Sequence, residues 1–241
     1  MEDQPHSSTP VKQWECNRQV QAVAKDVLSI LGQSIAPFDT EASIAQRAKE
    51  LLADRGVHET WYYDCLAFVL LGSRSCASLS GRDYQPANEP VGESNMITVD
   101  LSPSLDGVWG DCARSFFVES GVPVSEPSEA EFQAGLHVQL ELHSAMQEFV
   151  SLETTFEELH RFSNEHIAAA DFENLDFMEN LGHSIGAELD DRIYVEKGNL
   201  TRLSDVGLFT FEPHIRKAGS KWGFKHENIY YFNENGDVTE L

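Results

Sequence analysis

A chain of 241 residues with 41% apolar content is long enough to bury a full core, and the length suits one compact catalytic domain. Forty acids against 17 bases leave a formal charge of −23 with no Lys/Arg cluster, which argues against nucleic acid and anionic membrane as partners. No window approaches the roughly 18 apolar residues of a membrane span, MEDQPHSSTPVKQWECNRQ has no signal-peptide character, and the four cysteines form no Cys-x-x-Cys pair, so a soluble cytoplasmic protein with reduced thiols is expected.

Residues 1–13 are polar, carry Pro5 and Pro10, and predict a flexible arm ahead of a single domain over 14–241. From Trp14, apolar residues at Cys16, Val20, Val23, Val27 and Leu31 recur at helical spacing. A second helix is expected to follow an Asp39 cap, turn Ile44, Ala48, Leu51 and Leu52 inward, and stop at Gly56. CLAFVLL (65–71) reads as a strand, and a loop rich in Gly, Ser, Pro and Asn runs on to about Ser94. MITVDLS (96–102) and VWGDCARSFFV (108–118) read as an antiparallel hairpin.

Two helices come next, with capping boxes expected at Ser128/Glu131 and Thr155/Glu158 and an apolar face of Phe132, Leu136, Leu140 and Val150 on the first. Beyond Asn174, strand-like pieces lie around His183, at GLFTFEPHI (207–215) and at FKHENIYYF (224–232). Helices beside a mainly antiparallel sheet make an α+β domain.

Asp100, Asp111, Glu212 and Glu227 all sit in apolar strand contexts. Taken singly, each acid reads as a turn former and His183 between glycines as a loop residue. Burying four carboxylates together without counter-charge would cost many kcal/mol, more than the few nearby bases could offset, so a cation should lie among them. Two divalent ions match four carboxylate charges and let His183 bind as neutral imidazole.

The segments VDLSPSLDGVWGDCARSFF, LGHSIG, LFTFEPHI and GFKHENIYYF resemble the metal-binding segments of the pita-bread metallopeptidases: methionine aminopeptidases, aminopeptidase P, prolidases and the related creatinases. The resemblance runs from about Trp14 to the C-terminus and covers the catalytic domain alone. It implies a pita-bread fold, a curved, mainly antiparallel sheet flanked by helices, and a tendency to form homodimers. It also implies that Asp100 chelates one metal, Asp111 and Glu227 bridge both, and His183 and Glu212 complete the coordination of the second metal. Glu212 would be the catalytic base. The implied reaction is cleavage of a C–N bond in a small amino-acid-derived substrate or short peptide by metal-bound hydroxide, with Mn, Fe or Co suiting the oxygen-rich site.

The pattern also departs from the family. Asp83 of DYQP stands where aminopeptidase P and prolidases usually have a histidine, and Asp190 and Asp191 stand where they have a second one. Lys225 replaces a common arginine, and Ala113 a common hydroxyl residue. Without these imidazole donors, peptide cleavage is open to question, and acids at the rim point either to a cationic substrate or to nothing more than an acidic surface. Asp83, Tyr84, Asp190, His214 and Lys225 are the candidate substrate contacts. Arg74, Arg82 and Trp109 lie in plausible rim segments. Two other readings stay open: an oxygen-activating di-iron enzyme, and a metal-free creatinase-like enzyme or binding protein.

Overall fold

The computed structural model describes residues 10–241, so positions 1–9 of the expected arm lie outside the described residues. Its remaining positions belong to helix α1 (Pro10–Ser34), which buries Val20, Val27 and Leu31 as the spacing predicts. Helix α2 (Glu41–Ala53) is capped by Thr40 rather than Asp39. The Thr40 hydroxyl accepts the Ser43 N–H (3.1 Å) and the Ser43 hydroxyl accepts the Thr40 N–H (2.8 Å). Asp39 instead accepts from the Ala36 N–H and the Ser43 hydroxyl and pairs with Arg47, so it closes the turn before the helix. Gly56, with φ +80°, supplies the left-handed residue just beyond the helix.

These helices pack with a four-stranded antiparallel sheet around an aliphatic core that includes Val27, Leu31, Ile44, Leu52, Val69 and Val99. A two-residue strand β1 (Glu59–Thr60) precedes β2 (Ala67–Leu71) and β3 (Asn95–Leu101). Then β4 (Pro103–Leu105) and β5 (Val108–Trp109) form a small hairpin, with β4 paired to β1, before β6 (Cys112–Glu119) and β7 (Val122–Val124). The order β2-β3-β6-β7 realises the expected hairpin, with Asp100 opposite Ala113 and Leu101 opposite Cys112.

The second half begins with α3 (Ala130–Phe149) and α4 (Phe156–Ala169). The Thr155/Glu158 capping box forms, but the Ser128/Glu131 box does not. Ser128 gives its N–H and hydroxyl to Glu119, while Glu131 accepts the Ser220 hydroxyl. The α3 face is also rotated from the expected one. Leu140 is 51% exposed, whereas Gln139 and His143 are buried because both find internal partners.

Gly135 lets α3 approach closely, since a Cβ there would lie 2.3 Å from the Phe224 ring. Short strands complete the domain: β8 (Phe172–Asn174), β9 (Phe209–Phe211), β10 (His214–Lys217), β11 (Gly223–Lys225), β12 (Asn228–Phe232) and β13 (Val238–Glu240). They pair antiparallel as β11-β10-β8 and β13-β12-β9 over an aromatic core including Phe132, Phe156, Phe211 and Phe224. An antiparallel bridge between Ala113 and Glu227 stitches the halves together, with Glu227 N–H donating to the Ala113 carbonyl at 3.0 Å. Among the described residues no helix is long and apolar enough to cross a membrane.

Candidate metal centre

The stitch between the halves is where the acids meet. Asp100 lies near the end of β3 and Asp111 just before β6, while Glu212 and Glu227 occupy the breaks between β9 and β10 and between β11 and β12. One oxygen from each of Asp100, Asp111 and Glu227 lies within 4.8 Å of the others. His183 Nε2 is 3.4 Å from Asp111 Oδ2 and 3.8 Å from Glu212 Oε1.

The backbone holds this geometry. Gln21 from α1 clamps Asp111, accepting its N–H at 2.9 Å and donating to its carbonyl at 2.8 Å. The Glu212 N–H donates to the Leu181 carbonyl at 2.9 Å. Gly182, at φ +141°, passes so close to Thr210 that a Cβ would meet its carbonyl oxygen at 2.2 Å. The following His183 gives its N–H to the Thr210 hydroxyl (2.9 Å), and its Nδ1 meets the Ser184 carbonyl at 2.9 Å. A carbonyl only accepts, so Nδ1 carries a proton, and Nε2 is the nitrogen turned toward Asp111 and Glu212; against the effect of burial, their carboxylates raise the ring above its ordinary range.

Carboxylates gathered this closely repel one another unless a cation lies between them. Glu227, 1% exposed, leaves both carboxylate oxygens without a hydrogen-bond partner, and Asp111 Oδ2 is in the same state. Burial, compounded by Asp111 and Glu212, pushes the Glu227 carboxyl well above its usual range. Burial also raises Asp111 to about 6, against the pull of His183. Buried acceptors of this kind, with one imidazole among them, fit hard or borderline divalent ions.

Lys225 is placed differently from the sequence expectation of a substrate contact. Its Nζ reaches Asp100 Oδ2 at 2.5 Å, Glu212 Oε2 at 3.1 Å and Glu227 Oε2 at 3.8 Å. Burial would depress this ammonium, but Asp100, Glu212 and Glu227 together hold it well above the usual lysine range. It compensates one of four carboxylates and leaves the rest. For Glu212, burial is outweighed by Lys225, His183 and Arg192, so its carboxyl is held below the ordinary glutamate range.

The other candidate contacts lie elsewhere. Tyr84 is buried, and its hydroxyl accepts from the Val69 N–H and donates to the Val69 carbonyl. His214 Nε2 meets the Ser75 carbonyl at 2.6 Å, and burial pushes the ring down to about 4. Asp83 and Asp190 are exposed.

What reading by motif missed is an aromatic wall. Trp61 sits 5.5 Å from His183 and stacks on Trp109 at 4.5 Å, with Tyr62, Tyr194 and Arg192 beside it. The run Trp61-Tyr62-Tyr63 was its visible signal in the chain.

Two antiparallel strand pairs that bring acids and one imidazole together define the pita-bread class of metalloproteins. The model of metallopeptidase family M24 matches residues 15–234, and the chain belongs to that family. Among solved structures it resembles X-Pro aminopeptidase from Thermotoga maritima (20% identity, TM-score 0.77, 96% of this chain and 61% of that one). Prolidase from Thermococcus sibiricus is similar at 15% identity and TM-score 0.79, over 96% of this chain and 59% of that one. Prolidase from Pyrococcus furiosus is similar at 18% and 0.76, over 97% and 64%. The chain thus spans about three fifths of the length of these proteins, and at such identities the likeness is one of fold. A comparison with curated proteins gave no match.

Proposed function

We propose that the chain is a hydrolase dependent on two divalent metal ions, Mn, Fe or Co, that cleaves a C–N bond in a short peptide or amino-acid-derived substrate. The observation that carries this reading is Glu227: two orphaned oxygens at 1% exposure, within reach of Asp100 and Asp111. Asp111 and Glu227 would bridge the ions, Asp100 would hold one, and His183 and Glu212 the other. When bound, such ions acidify water and polarise a carbonyl as Lewis acids.

The chain's own part is positioning and proton transfer. Glu212 is the natural acceptor, because its side chain is 21% exposed where Glu227 is sealed, and Lys225 and His183 keep it ionised. The named activities of the similar structures, X-Pro aminopeptidase and prolidase, make Xaa-Pro dipeptides the first substrates to try.

Turnover of dipeptides by Mn-, Fe- or Co-loaded protein is expected, with Glu212→Gln losing activity while keeping its fold. No hydrolysis across dipeptides, amino-acid amides and amidines by fully loaded protein would sink the reading. The contact between Lys225 and Asp100 favours one alternative, a metal-free creatinase-like protein in which the ammonium stands where a metal would. That alternative requires no stoichiometric metal under any loading condition.

A further inference from the structure

Arg192 is a cation of this site whose terminal donors are unspent among the described residues. Lys225 is committed to three carboxylates. Arg192, partly buried, lies with its guanidinium carbon 5.2 Å from the Tyr194 ring centroid, 5.6 Å from Trp61 and 5.8 Å from Tyr62. Three rings around one guanidinium fix its plane by cation–π attraction without using its N–H groups. Its hydrogen bond runs from Nε to the Leu189 carbonyl (2.9 Å), and among the described residues it makes no ion pair. The terminal nitrogens therefore keep their fork of donors.

The rings are themselves fixed. Trp61 lies flat on Trp109, with 12° between the planes, and its Nε1 donates to the Gly110 carbonyl at 2.9 Å. The wall also borders the carboxylate ring directly. Trp61 and Tyr194 present their edges to His183 at 5.5 and 6.0 Å, and the charge of Arg192 is felt at Glu212.

From this placement, and resting on the hydrolase reading above, we infer that Arg192 reads a free carboxylate on the substrate. A planar fork held rigid beside the reacting centre matches a carboxylate in a two-point contact. A cationic substrate, which the acids of the rim suggested, fits less well. Arg192 already fills the aromatic cage such a cation would use, and Asp83 and Asp190 are exposed.

The test is equilibrium binding by calorimetry to the metal-loaded full chain, using alanyl-proline and alanyl-leucine and the C-terminal amide of each. Wild type should bind the free acids roughly tenfold to hundredfold tighter than the amides. Arg192→Gln should erase that preference while leaving metal content unchanged. Arg192→Lys, which keeps charge but loses the fork, should restore only part of it. Equal affinity of wild type for acid and amide, no measurable binding of the acids, or a preference that survives both substitutions would overturn the inference. Hydrolysis is scored separately: acids that bind preferentially through Arg192 yet are never cleaved would leave the carboxylate site standing and remove the hydrolase reading.

Discussion

Each half of the carboxylate ring is braced from behind by a buried glutamine on a helix, Gln21 on α1 and Gln139 on α3, but the two braces work differently. Gln21 spends both ends of its amide on one residue, fixing the N–H and the carbonyl of Asp111. Gln139 spends only its Nε2, donating to the Pro213 carbonyl at 2.8 Å and the Phe224 carbonyl at 2.7 Å, so it ties two strands together and leaves its own Oε1 without a partner. The first half thus locks a single short acid at the head of a continuous strand. The second cross-links two broken strands from which the longer glutamates reach inward. A short side chain needs an exact backbone, whereas a longer one tolerates a looser frame.

Removing the first brace should therefore do the greater damage. Gln21→Leu orphans a buried N–H and a buried carbonyl, and should cost about 2–4 kcal/mol in denaturant unfolding. It should also weaken metal binding roughly 10- to 100-fold, as loss of a residue that orients a ligand does. Gln139→Leu orphans two carbonyls but removes an acceptor that is already unsatisfied, so a smaller cost of about 1–2 kcal/mol is expected. Equal effects from the two would show that both glutamines brace their halves alike.

The second half should also be the one that feels acid. His143, one turn beyond Gln139, accepts from the Tyr230 hydroxyl at Nδ1 (2.7 Å) and donates from Nε2 to the His226 carbonyl (3.1 Å), and burial depresses its ring to about 3. Its folded pKa lies below the unfolded one, so the unfolded chain binds more protons between about 3 and 6.5. Stability is full above that window and is lost as pH falls through it, by up to about 1.4 kcal/mol per pH unit. His143→Gln should flatten that part of the pH–stability curve. Smaller still, Thr155→Ala removes the α4 cap far from either brace, and should cost about 1 kcal/mol with metal affinity untouched.

Much of this site could be read in the chain, because its acids lie in short motifs whose order carries the family resemblance. The β3–β6 hairpin was legible for a related reason: two apolar runs of strand length are separated by the turn-forming segment PSLDG. Lys225 could have been placed too, since it stands two residues before Glu227 and so on the same side of an extended chain. The same rule fails for His214, because the strand is interrupted at Glu212–Pro213 and the ring turns to Ser75. The α3 face misled because Gln139 and His143 are polar by composition but buried by partnership. The aromatic wall had no local signature beyond its tryptophan and tyrosines, as Trp61, Trp109, Arg192 and Tyr194 meet only through tertiary folding.

Whether the ring around Glu227 holds metal is read out by metal content per chain after purification without chelators and reconstitution with Mn or Fe. About two ions are expected in wild type, with a loss in Glu227→Ala that exceeds the roughly 10- to 100-fold weakening from an indirect change such as Gln21→Leu. Wild-type protein without stoichiometric metal, or a Glu227→Ala variant that keeps its full complement, would contradict metal binding by the ring.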